Sequence, residues 1–153
     1  DMREITFTSE FDAAYSISTS FGYFSDEVNR QVLYKIFRAL KPGGRFLLDV
    51  LNRDQVLGAI PTRVWWQGHG CVVLEEVDFL SESSQLRVQR QVAFDDKRQQ
   101  KYEIMIRIYS LHEILQILRQ VGFRIEEISG DIASQGHFFG ADSKQILILA
   151  SKP

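Results

Sequence analysis

The sequence predicts an α/β chain whose mixed sheet is interrupted by a small antiparallel meander. Three observations carry that prediction. In the first and last thirds, apolar stripes at helical spacing alternate with short apolar runs. The run Arg45–Val50, RFLLDV, is too short for a helix of its own and reads as a strand buried on both faces, as in a parallel sheet. The middle third changes to a two-residue period, the mark of half-buried antiparallel strands.

The elements follow in chain order. FDAAYSIS (Phe11–Ser18) is mostly small or apolar and is expected to be a buried strand. Ser25 is placed to cap a helix, with Asp26 and Glu27 favourable in its first turn. Val28, Val32, Leu33, Ile36, Phe37 and Leu40 form its apolar stripe. KPGG (Lys41–Gly44) is expected to stop that helix, because Pro42 cannot continue it and the glycines accept left-handed geometry. With RFLLDV next, strand, helix and strand make a βαβ unit with a right-handed crossover.

In the middle, Leu86, Val88, Val92 and Phe94 alternate with Arg87, Gln89, Gln91 and Ala93. Tyr102, Ile104, Ile106 and Ile108 alternate with Glu103, Met105, Arg107 and Tyr109. SESS (81–84) and DDKR (95–98) supply the turns. With CVVLEEVDFL before them these make a three-strand meander, preceded by Trp65 and Trp66. No linker flanks it, so it is expected as an insertion over residues 64–109 inside one domain spanning 1–153. Ser110 and Glu113 then stand as a capping box. Ile114, Leu115, Ile117, Leu118 and Val121 follow as a stripe, and Gly122 ends the helix. FRIEEIS and KQILILAS close the chain; joined without a helix, they are expected to be antiparallel neighbours.

Composition narrows the function classes. At 44% hydrophobic and 25% charged, the chain can build a real core. A net charge of -2 gives no reason to expect a nucleic-acid partner. No apolar run approaches the ~20 residues of a membrane-spanning helix, so no membrane partner is expected. The single cysteine, Cys71, rules out an internal disulfide, and a reducing, cytoplasmic home is the default expectation. His69 and Cys71 have no second pair at ligand spacing, so no metal site is expected.

Four segments in this order, DMREITF…EFDAAYSISTSFGYF, VLYKIFRALKPGGRFLLDVLNR, RIYSLHEILQILRQVGFRIEEIS and KQILILASKP, resemble the C-terminal half of a class I S-adenosylmethionine-dependent methyltransferase. The resemblance implies a partial Rossmann-like fold whose strands are the fourth to seventh of the family, with S-adenosylmethionine as cofactor. The antiparallel insertion resembles that of small-molecule methyltransferases and implies a small-molecule substrate. Asp1 and Met2 match the segment after the family's third strand, where the acid accepts from the adenine amino group and the next residue meets the adenine edge. Ser18, Thr19, Ser20 and Phe21 leave the carboxyl end of the fourth-strand equivalent, where ligands bind in open α/β sheets. There they are candidates to meet the methionine part of the cofactor, with Phe21 packing on it. Tyr23 is the candidate to close over the transferring methyl. Asn52 and Arg53 after the fifth-strand equivalent, with Arg107 for a substrate carboxylate and Tyr109 for the acceptor, are the substrate-facing candidates. Trp65 and Trp66 either line an apolar pocket or pack against the sheet.

The sequence departs from the family at two points. The family's Gly-rich loop after the first strand and its ribose-gripping acid after the second have no counterpart here. The G-x-G at Gly68-His69-Gly70 stands ahead of the meander and is expected to be a turn. The chain is therefore expected to begin midway through the fold, as an excised piece, a truncated product or one half of a split protein. It is expected to be inactive alone, and to use a bare strand edge to form a homodimer or to pair with a chain supplying the rest. No residue stands out as a catalytic base, His137 being the best placed of the histidines. A non-catalytic binding module and an assembly subunit remain as other classes.

Overall fold

The computed structural model describes residues 1–153. Two four-stranded sheets organise the chain. The main sheet has the order β1-β2-β8-β7, from β1 (Phe11–Ser16), β2 (Leu40–Leu51), β7 (Arg124–Ser129) and β8 (Gln145–Ser151). The second has the order β3-β4-β5-β6, from β3 (Thr62–Gly68), β4 (Cys71–Leu80), β5 (Gln85–Phe94) and β6 (Gln99–Arg107). Helices α1 (Asp26–Ala39), α2 (Arg53–Val56) and α3 (Leu111–Val121) complete the elements that matter here.

β1 and β2 are parallel neighbours, with Tyr15 opposite Leu47 and Ser16 opposite Leu48. β8 runs antiparallel to β2 and to β7, so the two closing strands pair as expected. The core lies on one face of this sheet. Val32, Leu33 and Ile36 of α1 and Ile114, Leu115 and Leu118 of α3 pack there against Phe46, Leu48, Ile146 and Ile148. Both helices start as their sequences dictate. Ser25 accepts from the Val28 amide at 3.4 Å. Ser110 and Glu113 form a reciprocal capping box, and Gly122 closes α3 in the left-handed conformation.

Three expectations are corrected. First, β1 is not a buried central strand. It pairs only with β2, and Phe11, Tyr15 and Ile17 are 41%, 74% and 44% exposed. Residues 1–10 do not cover its free edge. They run along α1, where Arg38 and Ala39 carbonyls accept from Ser9 and Glu10 amides at 2.9 Å, and Met2 and Ile5 pack on the core. Strand pairing alternates side chains between faces, so the row Tyr15–Leu47–Leu149 lies opposite the helices and no helix covers it.

Second, KPGG does not terminate α1. The helix ends at Ala39, and Leu40 is already extended with ψ 143°. Pro42 disfavours helical geometry at Lys41, which pushes the exit upstream. The four residues then bulge out of β2 between the Phe11–Leu40 and Ala13–Arg45 pairs. Gly43, at φ +77°, supplies the left-handed corner, and its amide donates to the Lys152 carbonyl at 2.8 Å.

Third, the meander has four strands rather than three. Trp65 and Trp66 belong to its outermost strand β3 and are 70% and 41% exposed, so neither packs into a core. The alternation in β5 is as read at its start, where Leu86 and Val88 are buried on the face they share with Val73 of β4, and Gly68–Gly70 is the β3–β4 turn.

Candidate functional site

The carboxyl ends of the parallel pair β1 and β2 meet the returning end of the meander. The chain leaves β1 at Ser16 and reaches α1 at Asp26 through a loop with three left-handed residues, Ser18 (φ +55°), Thr19 (φ +59°) and Gly22 (φ +107°). Gly22 joins the two sheets: its carbonyl accepts from the Arg107 amide at 2.8 Å. A Cβ at this position would stand 2.5 Å from the Arg107 carbonyl oxygen, so both the φ angle and the close approach require glycine.

Arg107 is the hub of an ion network at that junction. Its Nε donates to Asp26 Oδ1 at 3.0 Å and its Nη2 to Glu113 Oε1 at 2.9 Å. Nη1 donates to the Ile108 carbonyl, and the guanidinium lies 4.5 Å from the Tyr109 ring centroid. Arg53 Nη1 donates to Glu113 Oε2 at 3.0 Å. Burial alone would push the Glu113 carboxyl up, but the Ser110 amide, the Arg107 guanidinium and the Ser110 hydroxyl outweigh it and hold it down at about 2. A cavity of about 470 Å³ opens here, lined by Phe24, Ser25, Asp26, Glu82 and Ser83 beside the arginines. A depression of about 540 Å³ elsewhere on the second sheet, lined by Trp65, Leu74 and Tyr102, lies among β3–β6 away from these strand ends.

The sequence-predicted candidates divide on this geometry. Ser18 is exposed, Thr19 and Ser20 are half-buried, and Tyr23 is 45% exposed, so this loop presents polar groups and one phenol at the strand ends. Ser20 Oγ lies 2.9 Å from Ser16 Oγ, which closes the turn on itself. Phe21 does not face outward: it is 2% exposed and packs on Tyr109 at a centroid distance of 5.9 Å. Asp1 caps a short helical turn and bonds Arg3 through both its amide, at 2.9 Å, and its guanidinium, at 3.0 Å. Met2 packs against the core.

The substrate-facing candidates are largely structural. Tyr109 is fully buried, with its hydroxyl accepting from Asn29 Nδ2 at 3.1 Å, and burial pushes its phenol up to about 12. It therefore does not present a hydroxyl to the cavity. Asn52 is 1% exposed; its amide donates to the Gly140 and Ser143 carbonyls at 2.8 and 2.7 Å and its oxygen caps Asp54. Arg107 reaches the cavity wall, and each of its three guanidinium nitrogens already donates once, to Asp26, the Ile108 carbonyl and Glu113, which fixes its orientation there. Alternation placed Arg107 and Tyr109 on one outward face, yet the strand ends at Arg107 and the chain turns inward at Ile108 and Tyr109. His137 is exposed and stacks beside Phe139 in the β7–β8 loop.

Sequence reasoning missed Gly22, Asp26 and Asp49 as parts of this corner. Asp49 was visible as the lone acid in RFLLDV; its Oδ2 accepts from the Ser18 amide at 3.0 Å. The ion network had no signal, because its members are separated by as many as 81 positions in the chain.

No protein-family model matches the sequence, and no curated protein matches it. Solved structures do. The CcbJ methyltransferase of Streptomyces caelestis superposes with a TM-score of 0.80 at 14% identity, over 100% of this chain and 62% of that one. An S-adenosylmethionine-dependent methyltransferase of Clostridium acetobutylicum gives 0.83 at 15% identity, over 99% of this chain and 62% of that one. A sugar N-methyltransferase of Streptoalloteichus gives 0.67 at 16% identity, over 99% and 60%. The chain thus spans about 60–62% of the length of these structures. The parallel β1–β2 pair, the antiparallel β8–β7 closure and the meander at the strand ends together make the fold of this chain a partial class I S-adenosylmethionine-dependent methyltransferase fold.

Proposed function

We propose that this chain is the C-terminal portion of an S-adenosylmethionine-dependent methyltransferase acting on a small molecule. One observation supports the reading most: almost the whole chain, both sheets included, superposes on methyltransferases. One of these neighbours is named as a sugar N-methyltransferase, which favours a small polar acceptor. A polar cavity between the meander and the β1–α1 loop suits such a molecule.

The residues present fit part of the cofactor. Ser18 and Thr19 stand at the carboxyl end of β1 with their hydroxyls open to its methionine end, and Ser20 would have to exchange its Ser16 partner; the Ser18 and Ser20 amides already donate to Asp49 and to the Ile17 carbonyl. Tyr23, in the same loop, is the residue to close over the reacting centre. Asp1 would have to exchange Arg3 for an adenine amino group, and Met2 would meet the ring edge. S-adenosylmethionine, when bound, supplies a methyl group on a positively charged sulfur. The positive charge on sulfur is lost as the methyl leaves, so the protein needs no strong acid. The task of these residues is to orient the acceptor in line and exclude water. Arg107, Asp26 and Glu113 fix the meander as the far wall.

This chain carries no Gly-rich strand–loop–helix, and we propose that alone it does not turn over. Losing even two charge-assisted hydrogen bonds to a ligand costs roughly 3–6 kcal/mol, about a hundredfold to ten-thousandfold in affinity. The free edge of β1 and the open row Tyr15–Leu47–Leu149 support association, with a second copy or with a chain supplying the rest of the fold. The alternative is a non-catalytic binding or assembly subunit. Calorimetric titration with S-adenosylhomocysteine, beside a labelled-methyl turnover assay, separates the readings. Weak binding, no tighter than roughly the millimolar range, and no turnover are expected of the proposed fragment; micromolar binding would support a working cofactor site despite the absent loop, robust turnover by this chain alone would refute its inactivity, and no detectable binding would favour the assembly role.

A further inference from the structure

We infer that Asp49 is the positioning residue of the β1–α1 turn, holding Ser18–Ser20 in the conformation that a ligand at the strand ends would meet; the ligand part of this rests on the methyltransferase reading. Asp49 is the one charged residue between Phe46 and Leu51 in β2 and is 7% exposed. It sits opposite Leu147 of β8. Its Oδ2 accepts twice, from the Ser18 amide at 3.0 Å and from Gln145 Nε2 at 3.2 Å. One carboxylate oxygen therefore ties together the exit of β1, the body of β2 and the start of β8.

Two local costs meet at this point. Oδ1 of Asp49 is buried and has no hydrogen-bond partner. Ser18 and Thr19 are consecutive left-handed residues without being glycine. A buried unpaired acceptor and a left-handed non-glycine residue each destabilise a fold, and neither serves the core. An apolar residue at position 49 would continue the run of Phe46, Leu47 and Leu48, and Gly or Asn at 18 and 19 would take the turn at less strain. Costs of this kind collect where geometry is required by something other than packing. With its amide drawn inward to Asp49, Ser18 remains exposed at the carboxyl end of the parallel pair, where open α/β sheets bind ligands.

The test is spectroscopic and begins on the unmodified chain. In ¹³C,¹⁵N-labelled protein, a through-hydrogen-bond coupling between the Ser18 amide nitrogen and the Asp49 carboxyl carbon is expected. Asp49→Asn should remove the charge assistance, and hydrogen exchange of the Ser18 amide should rise about tenfold while Phe46 and Ile148 amides stay protected. No coupling in the unmodified chain, or Ser18 exchange unchanged in the variant, would overturn the assignment. The ligand arm is read separately, as S-adenosylhomocysteine affinity by calorimetry. Binding that weakens about tenfold in Asp49→Asn supports positioning, and unchanged binding in a variant whose Ser18 resonance has moved refutes it. An unmodified chain that binds nothing while Ser18 still couples to Asp49 counts against the methyltransferase reading and upholds the turn assignment.

Discussion

Replacing Tyr15 with Lys should weaken self-association of the chain through the β1 edge. Tyr15 is 74% exposed on the open row with Leu47 and Leu149, beside a strand whose other edge is unpaired. Little defends that edge: its one charge, Asp12, is paired with Lys41 at 2.9 Å. An aromatic side chain buries about 150–250 Å², so covering the exposed part of Tyr15 removes on the order of 150 Å² of surface, worth roughly 3–4 kcal/mol per copy. In a two-fold dimer the residue counts twice. Ordering costs at the interface take back part of this. A dissociation constant raised at least about a hundredfold is therefore expected, since a lysine forfeits the burial and brings a charge into the new core. Sedimentation equilibrium over a wide concentration range measures it, with Ile17→Lys as a second edge variant. Tyr34→Lys is the control, because Tyr34 is 59% exposed on α1 away from the edge and should not change association. A wild-type chain that sediments as a clean monomer at high concentration, or a Tyr15→Lys chain that associates as the wild type does, would refute the reasoning.

Gly22→Ala combines a left-handed φ with a Cβ 2.5 Å from the Arg107 carbonyl oxygen, and should destabilise by about 2–4 kcal/mol in denaturant unfolding. Ser110→Ala removes the α3 cap and should cost about 1–2 kcal/mol in the same assay. Glu113 is held at about 2, below its ordinary 4.5, so its contribution is complete above the ordinary value and lost as pH falls toward the folded one. Discounted for the solvent that reaches it, this amounts to about 1–2 kcal/mol, and Glu113→Gln should flatten stability against pH between about 5 and 2.

Much of the architecture was legible because it is written in local patterns. The stripe from Val32 to Ile36, the cap at Ser25 and the Ser110–Glu113 box depend on residues within a turn of one another, and each forms as read. RFLLDV was legible as a strand, and β2 is central in the main sheet, but only its Phe46, Leu48 and Val50 face meets the helices; on the other face Arg45 is exposed and Leu47 half-buried, so burial on both faces is not what forms. β3 was not legible: TRVWWQG has no clean alternation, and it becomes a strand only because β4 offers an edge. The inward turn at Ile108 and Tyr109 was hidden for a related reason. Alternation continues past Arg107 on paper, but the Gly22 carbonyl captures the Arg107 amide and ends the strand there.

The sequence by itself determined the fold class, the boundaries of α1 and α3 to within a residue or two, and the place of the β1–α1 loop at the end of a parallel strand. Period, caps and glycines act over a few residues, so they can be read without coordinates. Only the tertiary structure decided which polar residues are free to meet a ligand. Asn52 and Tyr109 spend their polar groups inside the protein, Arg107 is held in place by Asp26 and Glu113, and Asp49 is bound to Ser18 across 31 positions of chain. A side chain's availability depends on partners that approach it from distant segments, and no local pattern in the sequence records that approach.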